Sequence, residues 1–328
     1  MKVLVTTVPF GQINRLPLDM LENNKIDYVI NPLNRKLTES ELSEMIADFD
    51  IVIAGTEPIT RKVLNNAKKL KLISRVGIGL DSVDLMAAKK KKISVCYTPD
   101  APAPAVSELT LGLMFNLLRM IHISNTQIHN GVWERKFGRR MADITIGIIG
   151  AGRIGGQVLE KISKAFSSTK LLVNDINPNN DLSKHIKLEW SSKQKIYKEA
   201  DIISIHTPLT AKTNNMIQKQ ELNSMKSDAL IINTARGGII NEDDLYNVLE
   251  SGHLGGAAID VFEKEPYDGR LANIERCILT AHLGSMSVDC RSQMEIEATQ
   301  KAIDFISGLI KNGDVPESEF ILQEGMTI

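Results

Sequence analysis

Residues 144–159 read ITIGIIGAGRIGGQVL, an apolar β-branched run that gives way to a helical pattern through a glycine-rich turn. Gly150, Gly152 and Gly155 carry the spacing G-x-G-x-x-G. At a strand-to-helix turn the first glycine permits the tight bend, the second lets the backbone approach a pyrophosphate, and the third lets the helix pack closely on the strand. The helix start adds free N–H groups and a partial positive charge for the phosphates. The next β-type run, LLVND, ends in Asp175, about 20 residues past the turn, where a carboxylate accepts from the adenosine ribose hydroxyls. The same carboxylate repels a 2′-phosphate, which favours NAD over NADP. A flavin or nucleotide-sugar fold shares this turn, with Asp175 then an ordinary turn aspartate.

Outward from this turn the chain alternates short β-branched runs with helical stretches, the pattern of βαβ units and a mostly parallel sheet. Strands are predicted at 144–149, 171–174, 202–206, 230–233, 256–260 and 277–280, six runs that suit a dinucleotide fold. An earlier series lies at 3–6, 28–30, 51–54, 72–76 and 93–96, with helices at 39–47 after Thr38 and 61–70 after Thr60. The segment TPDAPAP (98–104) has three prolines in seven residues and marks a domain boundary. Residues 105–121 are apolar almost all round, as in a helix buried at an interdomain or subunit surface. A long helical pattern, 288–310, precedes a polar tail with Pro316 and Gly325. The lysine run 89–92 reads as a solvated helix end, where cations meet the negative pole of the helix.

With 39 Lys plus Arg against 40 Asp plus Glu, the net charge of −1 lacks the field of a nucleic-acid or membrane-surface binder. Hydrophobic residues at 43% and charged residues at 24% argue against long disorder. Cys96, Cys277 and Cys290 form no CxxC pair, so neither a disulfide framework nor a zinc site is signalled and no metal is expected. The start of the chain reads as a first strand rather than a signal peptide, and no apolar stretch approaches the roughly 20 residues that span a bilayer. A soluble cytoplasmic protein is expected.

Three polar residues follow predicted strands in the second half: Arg236 in IINTARGGI, Glu265 in DVFEKEP and His282 in LTAHLGS. The carboxyl ends of parallel strands form the ligand crevice, so such residues can converge. A neutral histidine accepts a hydroxyl proton while hydride leaves the same carbon, and its protonated form serves the reverse reaction. A glutamate orients the ring and favours the imidazolium. An arginine presents a planar fork to the carboxylate and carbonyl of a 2-keto acid. Singly, each has a plainer reading: Arg236 in an interdomain ion pair, Glu265 an exposed loop acid, His282 a satisfied buried histidine.

Together these residues resemble the D-isomer-specific 2-hydroxyacid dehydrogenases. The landmarks LKLISRVGIGLDSVDL, YTPDAPAPAVSELTLGLM, GIIGAGRIG, DIISIHTPLT, LIINTARGGIINEDDL, AAIDVFEKEP and ILTAHLGS stand in that family's order. Arg75 before Val76, Gly77, Ile78 and Gly79 is similar to its 3-phosphoglycerate dehydrogenases. The resemblance implies an α/β protein with a flavodoxin-like substrate domain (1–104 and 288–328) and an inserted NAD(P)-binding Rossmann domain (105–287). It makes His282 the acid/base, Glu265 its orienting partner and Arg236 the residue that binds and polarises substrate. It places Arg153 and Ile154 at the cofactor pyrophosphate, Asp175 at the ribose, Thr207, Thr234 and Ala235 beside the cofactor, and Asp260 at the nicotinamide amide. Backbone N–H groups of Gly77, Ile78 and Gly79 would receive the substrate carboxylate, with Arg75 holding a second anionic group such as a phosphate.

The resemblance further implies a homodimer formed through the cofactor domain. Two positions depart from the family pattern: ADITIG replaces a Gly-Lys pair before the Rossmann strand, and Ala281 stands where proline often precedes the histidine. Ile328 leaves no room for the C-terminal regulatory domain of many serine-pathway members, so a short form is expected. The implied function is NAD-dependent interconversion of a D-2-hydroxy acid and its 2-keto acid, with phosphoglycerate as the first substrate. Glyoxylate or hydroxypyruvate reduction is the nearest alternative, because pocket shape decides it. An NAD(H)-sensing corepressor-like scaffold on the same fold is the alternative of another class.

Overall fold

The computed structural model describes residues 1–323, so Gly325 of the expected tail and the rest of 324–328 lie outside the described residues. The chain forms two compact units: Met1–Pro102 together with the chain from Ser285, and Ala103–Gly284.

In the first unit five strands form a parallel sheet: β1 (Lys2–Val5), β2 (Asp27–Ile30), β3 (Ile51–Ala54), β4 (Leu72–Arg75) and β5 (Ser94–Tyr97). Their order is β2-β1-β3-β4-β5, the flavodoxin-like winding, and it reverses between β1 and β3. Helices α1 (Leu16–Asn23), α2 (Glu39–Met45), α3 (Arg61–Asn66) and α4 (Leu85–Lys90) connect the strands. Leu4, Val52, Ile73 and Val95 pack with Leu42, Val63, Leu64 and Leu85 in one buried cluster. Thr38 caps α2 in a reciprocal box with Glu41, and Thr60 caps α3 through Val63 N. Both helices stop short of the expected 47 and 70; α2 runs into a 3₁₀ turn at Ile46–Asp48. Lys89 and Lys90 occupy the last turn of α4, as the helix-end reading requires.

The second unit begins with α5 (Pro102–Arg119) and α6 (Ile121–His129). The helix therefore starts inside the expected linker, because Pro102 and Pro104 fall in the first turn, where backbone N–H groups have no helical partner. It also breaks: Met120 is left-handed at φ 50°, and α6 departs at 64°. The sheet that follows has seven parallel strands in the order β12-β11-β10-β9-β6-β7-β8. They are β6 (Thr145–Ile149), β7 (Lys170–Asn174), β8 (Glu189–Trp190), β9 (Ile202–Ile205), β10 (Leu230–Asn233), β11 (Gly256–Ile259) and β12 (Cys277–Leu279). The six runs of the sequence are all present; β8 is an added edge strand of two residues, too short to display a period. Helices α7 (Arg153–Ala165), α8 (Asn180–His185), α9 (Lys193–Glu199), α10 (Lys219–Asn223) and α11 (Glu242–Glu250) complete a doubly wound fold.

After Ser285 the chain returns to the first unit through α12 (Val288–Ile306), whose Ala298 carbonyl accepts from Ser74 Oγ at 2.7 Å. The helix ends before the expected 310 because Gly308, at φ 78°, closes a Schellman turn: Leu309 N donates to Asp304 O and Gly308 N to Phe305 O. The polar tail then forms α13 (Glu317–Gln323), where Gln323 donates to Leu80 O and Val83 O and accepts from Leu85 N. The three cysteines are unbridged and buried, and burial pushes their thiols up to about 11 (Cys96), about 12 (Cys277) and about 11 (Cys290). Among the described residues no single helix is long and apolar enough to cross a membrane.

Candidate functional site

In the second unit the strand order reverses between β6 and β9, and the glycine turn lies at that point. Gly150 adopts φ 95°, and a Cβ there would meet the His206 carbonyl at the end of β9. A Cβ on Gly155 would land on the Gly150 carbonyl, so this glycine is what lets α7 approach the strand. Gly152 is exposed and faces open space, leaving the start of α7, with Arg153 and Ile154 as its first residues, accessible to an anion. Asp175, one residue past β7, accepts from Ala151 N at 2.7 Å through Oδ2 and from Asn177 N at 2.8 Å through Oδ1. Its carboxylate is thereby fixed against the turn that the dinucleotide reading gives it.

Past β9, Thr207 carries a buried Oγ1 with no hydrogen-bond partner among the described residues. Buried polar atoms are seldom left unpaired, so this one marks a place where a ligand group fits. Its neighbour His206 lies 2.9 Å from Ser204 Oγ through Nε2, and burial lowers its pKa to about 3, so it stays neutral. Past β10, Thr234 Oγ1 meets Thr110 Oγ1 of α5 at 3.0 Å. Asn233 braces the next turn, accepting from Ala235 N at 3.0 Å and donating to Arg236 O at 2.8 Å. Arg236 Nη1 donates to Ala235 O at 2.6 Å.

The turn of Arg236 lies against the one after β11, because Gly237 has no room for a Cβ beside the Phe262 backbone. There Glu265 Oε1 accepts from Phe262 N at 3.2 Å, and both carboxylate oxygens reach His282 Nδ1, at 3.0 and 3.1 Å. His282 is left-handed at φ 54°, its N–H donating to Asp260 O at 2.9 Å. Asp260 is fully buried and accepts from Thr280 Oγ1 at 2.5 Å, Leu283 N at 2.7 Å and Gly284 N at 2.9 Å. Burial raises its pKa, and those three donors work against the rise. Arg236, Glu265 and His282 thus sit on adjoining turns at the carboxyl ends of β10, β11 and β12.

The first unit carries the remaining expected residues. Arg75 ends β4, and Gly77 follows at φ 132°, with its N–H donating to Thr98 Oγ1 at 2.7 Å; Ile78 and Gly79 continue this loop. Arg75 is buried, and its Nη1 donates to Val76 O. Sequence reasoning missed Asn233, Thr280 and Thr110, which hold Arg236, Asp260 and Thr234. An Asx residue ending a strand is a turn signal that points to Asn233; the threonines carry no comparable mark.

The switch-point turn, open helix start and ribose-side carboxylate define a dinucleotide-binding oxidoreductase class, and these residues fit NAD. The profile of "D-isomer specific 2-hydroxyacid dehydrogenase, NAD binding domain" matches residues 111–284. The chain is 35% identical to a hydroxypyruvate reductase of Thermotoga maritima, over 81% of this chain and 87% of that protein. It is 38% identical to a D-3-phosphoglycerate dehydrogenase of Methanocaldococcus jannaschii over 78% of its own length, while spanning only 49% of that relative. Among solved structures, D-lactate dehydrogenase of Aquifex aeolicus complexed with NAD and lactic acid superposes with a TM-score of 0.84 at 25% identity, covering 93% of this chain and 96% of that one. The chain belongs to the D-isomer-specific 2-hydroxyacid dehydrogenases, NAD-dependent oxidoreductases, and residues 111–284 are its NAD-binding domain.

Proposed function

We propose that the protein interconverts a small D-2-hydroxy acid and its 2-keto acid, with His282 as the acid/base. The observation that carries this is the His282–Glu265 pair: Nδ1 is engaged by the carboxylate at 3.0 Å, which leaves Nε2 as the ring nitrogen for the substrate. In the oxidative direction Nε2 takes the C2 hydroxyl proton as the carbonyl forms, and Glu265 stabilises the resulting imidazolium. Arg236 binds the substrate carboxylate and polarises the carbonyl oxygen through its planar fork. When bound, NAD accepts the C2 hydride, or returns it in the reverse direction. Gly150, Gly152, Arg153, Ile154 and Gly155 hold its pyrophosphate, Asp175 its adenosine ribose, Thr207, Thr234 and Ala235 its flank, and Asp260 the amide side. In the first unit the loop of Ile78 and Gly79 is the candidate anion receiver, while the Gly77 N–H, expected to join them, is bound to Thr98 Oγ1. The working form is a homodimer.

For the substrate, the Arg75 motif favours 3-phosphoglycerate, while relatives bear both phosphoglycerate and hydroxypyruvate names. The test is NADH consumption by the purified protein with glyoxylate, hydroxypyruvate, 3-phosphohydroxypyruvate and pyruvate. Turnover of at least one supports the reading; tight NADH binding without turnover of any would favour a sensor scaffold instead.

A further inference from the structure

In open doubly wound sheets a ligand sits where the strand order reverses, at the carboxyl ends of the two diverging strands. The first unit has its own reversal, between β1 and β3, and a carboxylate occupies it. Glu57, three residues past β3, is 2% exposed. Its Oε1 accepts from Gly55 N at 2.9 Å and from Thr6 Oγ1, one residue past β1, so the side chain bridges the two strand ends. Its Oε2 lies 2.7 Å from where a Cβ on Gly55 would be, which keeps the group flat against the β3 exit. Both donors are neutral, and among the described residues Glu57 forms no ion pair within 4 Å.

The Gly77–Gly79 loop leaves β4, the strand next to β3, with Ala54 paired to Arg75 and Val76 N donating to Ala54 O. Neighbouring strands lie about 4.8 Å apart, so the Glu57 charge stands within roughly two strand spacings of that loop. Neither buried arginine of this unit forms an ion pair with Glu57 within 4 Å among the described residues. Arg291 is committed to Glu295 at 2.6 Å and to Thr7 Oγ1 at 2.8 Å, and Arg75 is tucked under the Gly77 turn, with Nη1 2.9 Å from where a Cβ on that glycine would be. A phosphate dianion needs a surplus of positive charge; here Asp84 is paired with Arg61 at 3.5 Å and Glu295 with Arg291 at 2.6 Å, so that the other buried charged side chains are Arg75 and Glu57, one of each sign, and no surplus is left.

We infer that Glu57 is a specificity-determining residue that excludes phosphorylated substrates, so that the 2-keto acid taken by this chain has an uncharged third carbon, as in hydroxypyruvate. The inference rests on the dehydrogenase reading and, between its two candidate substrates, decides for the hydroxypyruvate type against the 3-phosphoglycerate that the Arg75 motif suggests. A dianion brought near the carboxylate is repelled, whereas a hydroxymethyl group is not.

The test compares kcat/KM for hydroxypyruvate and its 3-phosphate in the wild type, Glu57→Gln and Glu57→Asp. The wild type favours hydroxypyruvate, and Glu57→Gln shrinks that preference by about tenfold or more, the scale of losing one like-charge repulsion. Glu57→Asp keeps the charge and the preference, which separates electrostatic selection from a merely structural role. A wild type that prefers the phosphate, or a ratio unmoved by Glu57→Gln, overturns the inference. Glyoxylate, with no third carbon, reports the dehydrogenase reading by itself. If the wild type turns over none of these acids, that reading fails, and calorimetry with D-glycerate and 3-phosphoglycerate in the presence of NAD judges Glu57. Tighter binding of glycerate, with the gap closing in Glu57→Gln, upholds the inference; equal binding or none overturns it.

Discussion

A histidine at φ 54° occupies a region that costs an L-residue roughly 1–2 kcal/mol, and His282 is kept there by its surroundings. Its own N–H is bound to Asp260 O, and the next two N–H groups are bound to the Asp260 carboxylate. The ring is then aimed by Glu265, so its orientation is set by backbone and side chain together. His282→Ala should lower kcat by about 10² or more, the usual scale for a lost acid/base, with NADH affinity nearly unchanged in fluorescence titration. Unaltered turnover would remove His282 from the reaction. His206, past β9, is placed quite differently. His206 is held neutral by burial, with a pKa of about 3 against 6.5 when unfolded. Above pH 6.5 both states are neutral and nothing is gained or lost; as pH falls toward 3, the unfolded chain takes up a proton that the folded chain refuses. By pH 5 this amounts to about 2 kcal/mol. Thermal midpoints at pH 7 and pH 5 should therefore differ less in His206→Asn than in the wild type; an equal drop in both would contradict the assignment.

The glycine turn shows how one element converts spacing into a binding surface. Gly155 is the position at which any Cβ strikes the Gly150 carbonyl, while Gly152 has free space around it and is open for a ligand to fill. Gly155→Val should push α7 away from β6 and weaken NADH binding by about tenfold or more, since the N–H groups that meet the phosphates move with the helix start. Isothermal titration alongside far-UV circular dichroism separates lost affinity from lost fold; unchanged affinity would count against this turn as the cofactor site. Such elements are legible because each residue answers a local steric demand, as do the caps Thr38 and Thr60. The break at Met120 is not, since Asn116 holds His122 N across it and nothing in the apolar pattern of 105–121 announces a 64° bend. The strand β8 and the helix α13 escape for a related reason: pairing with β7 and the Gln323 contacts, not local propensity, form them.

At the scale of the molecule, two parallel sheets of different winding were legible as a class from alternating runs, whereas the return of the chain through α12 to the first unit came from family resemblance and not from periodicity. The chemical types of Arg236, Glu265 and His282 were legible too; the residues that brace them were not, because Thr280 and Asn233 act through hydrogen bonds that only the folded turns create. One surface feature remains to be covered. Trp133 is 83% exposed and Phe137 fully so, in a segment after α6 that also exposes Val132, with Ile121 and Ile128 on α6 itself. Aromatic side chains bury roughly 150–250 Å² each, and a two-fold interface counts every one twice. Trp133 and Phe137 alone would then supply about half of the ~1,600 Å² of a standard interface. Exposed patches of this kind mark association sites, and a second copy is the occupant that family resemblance supplies. Light scattering should give a dimer for the wild type at micromolar concentration, and Trp133→Ser with Phe137→Ser should shift it to monomer while NADH binding persists. A wild-type monomer, or a dimer indifferent to both substitutions, would refute this face as the interface.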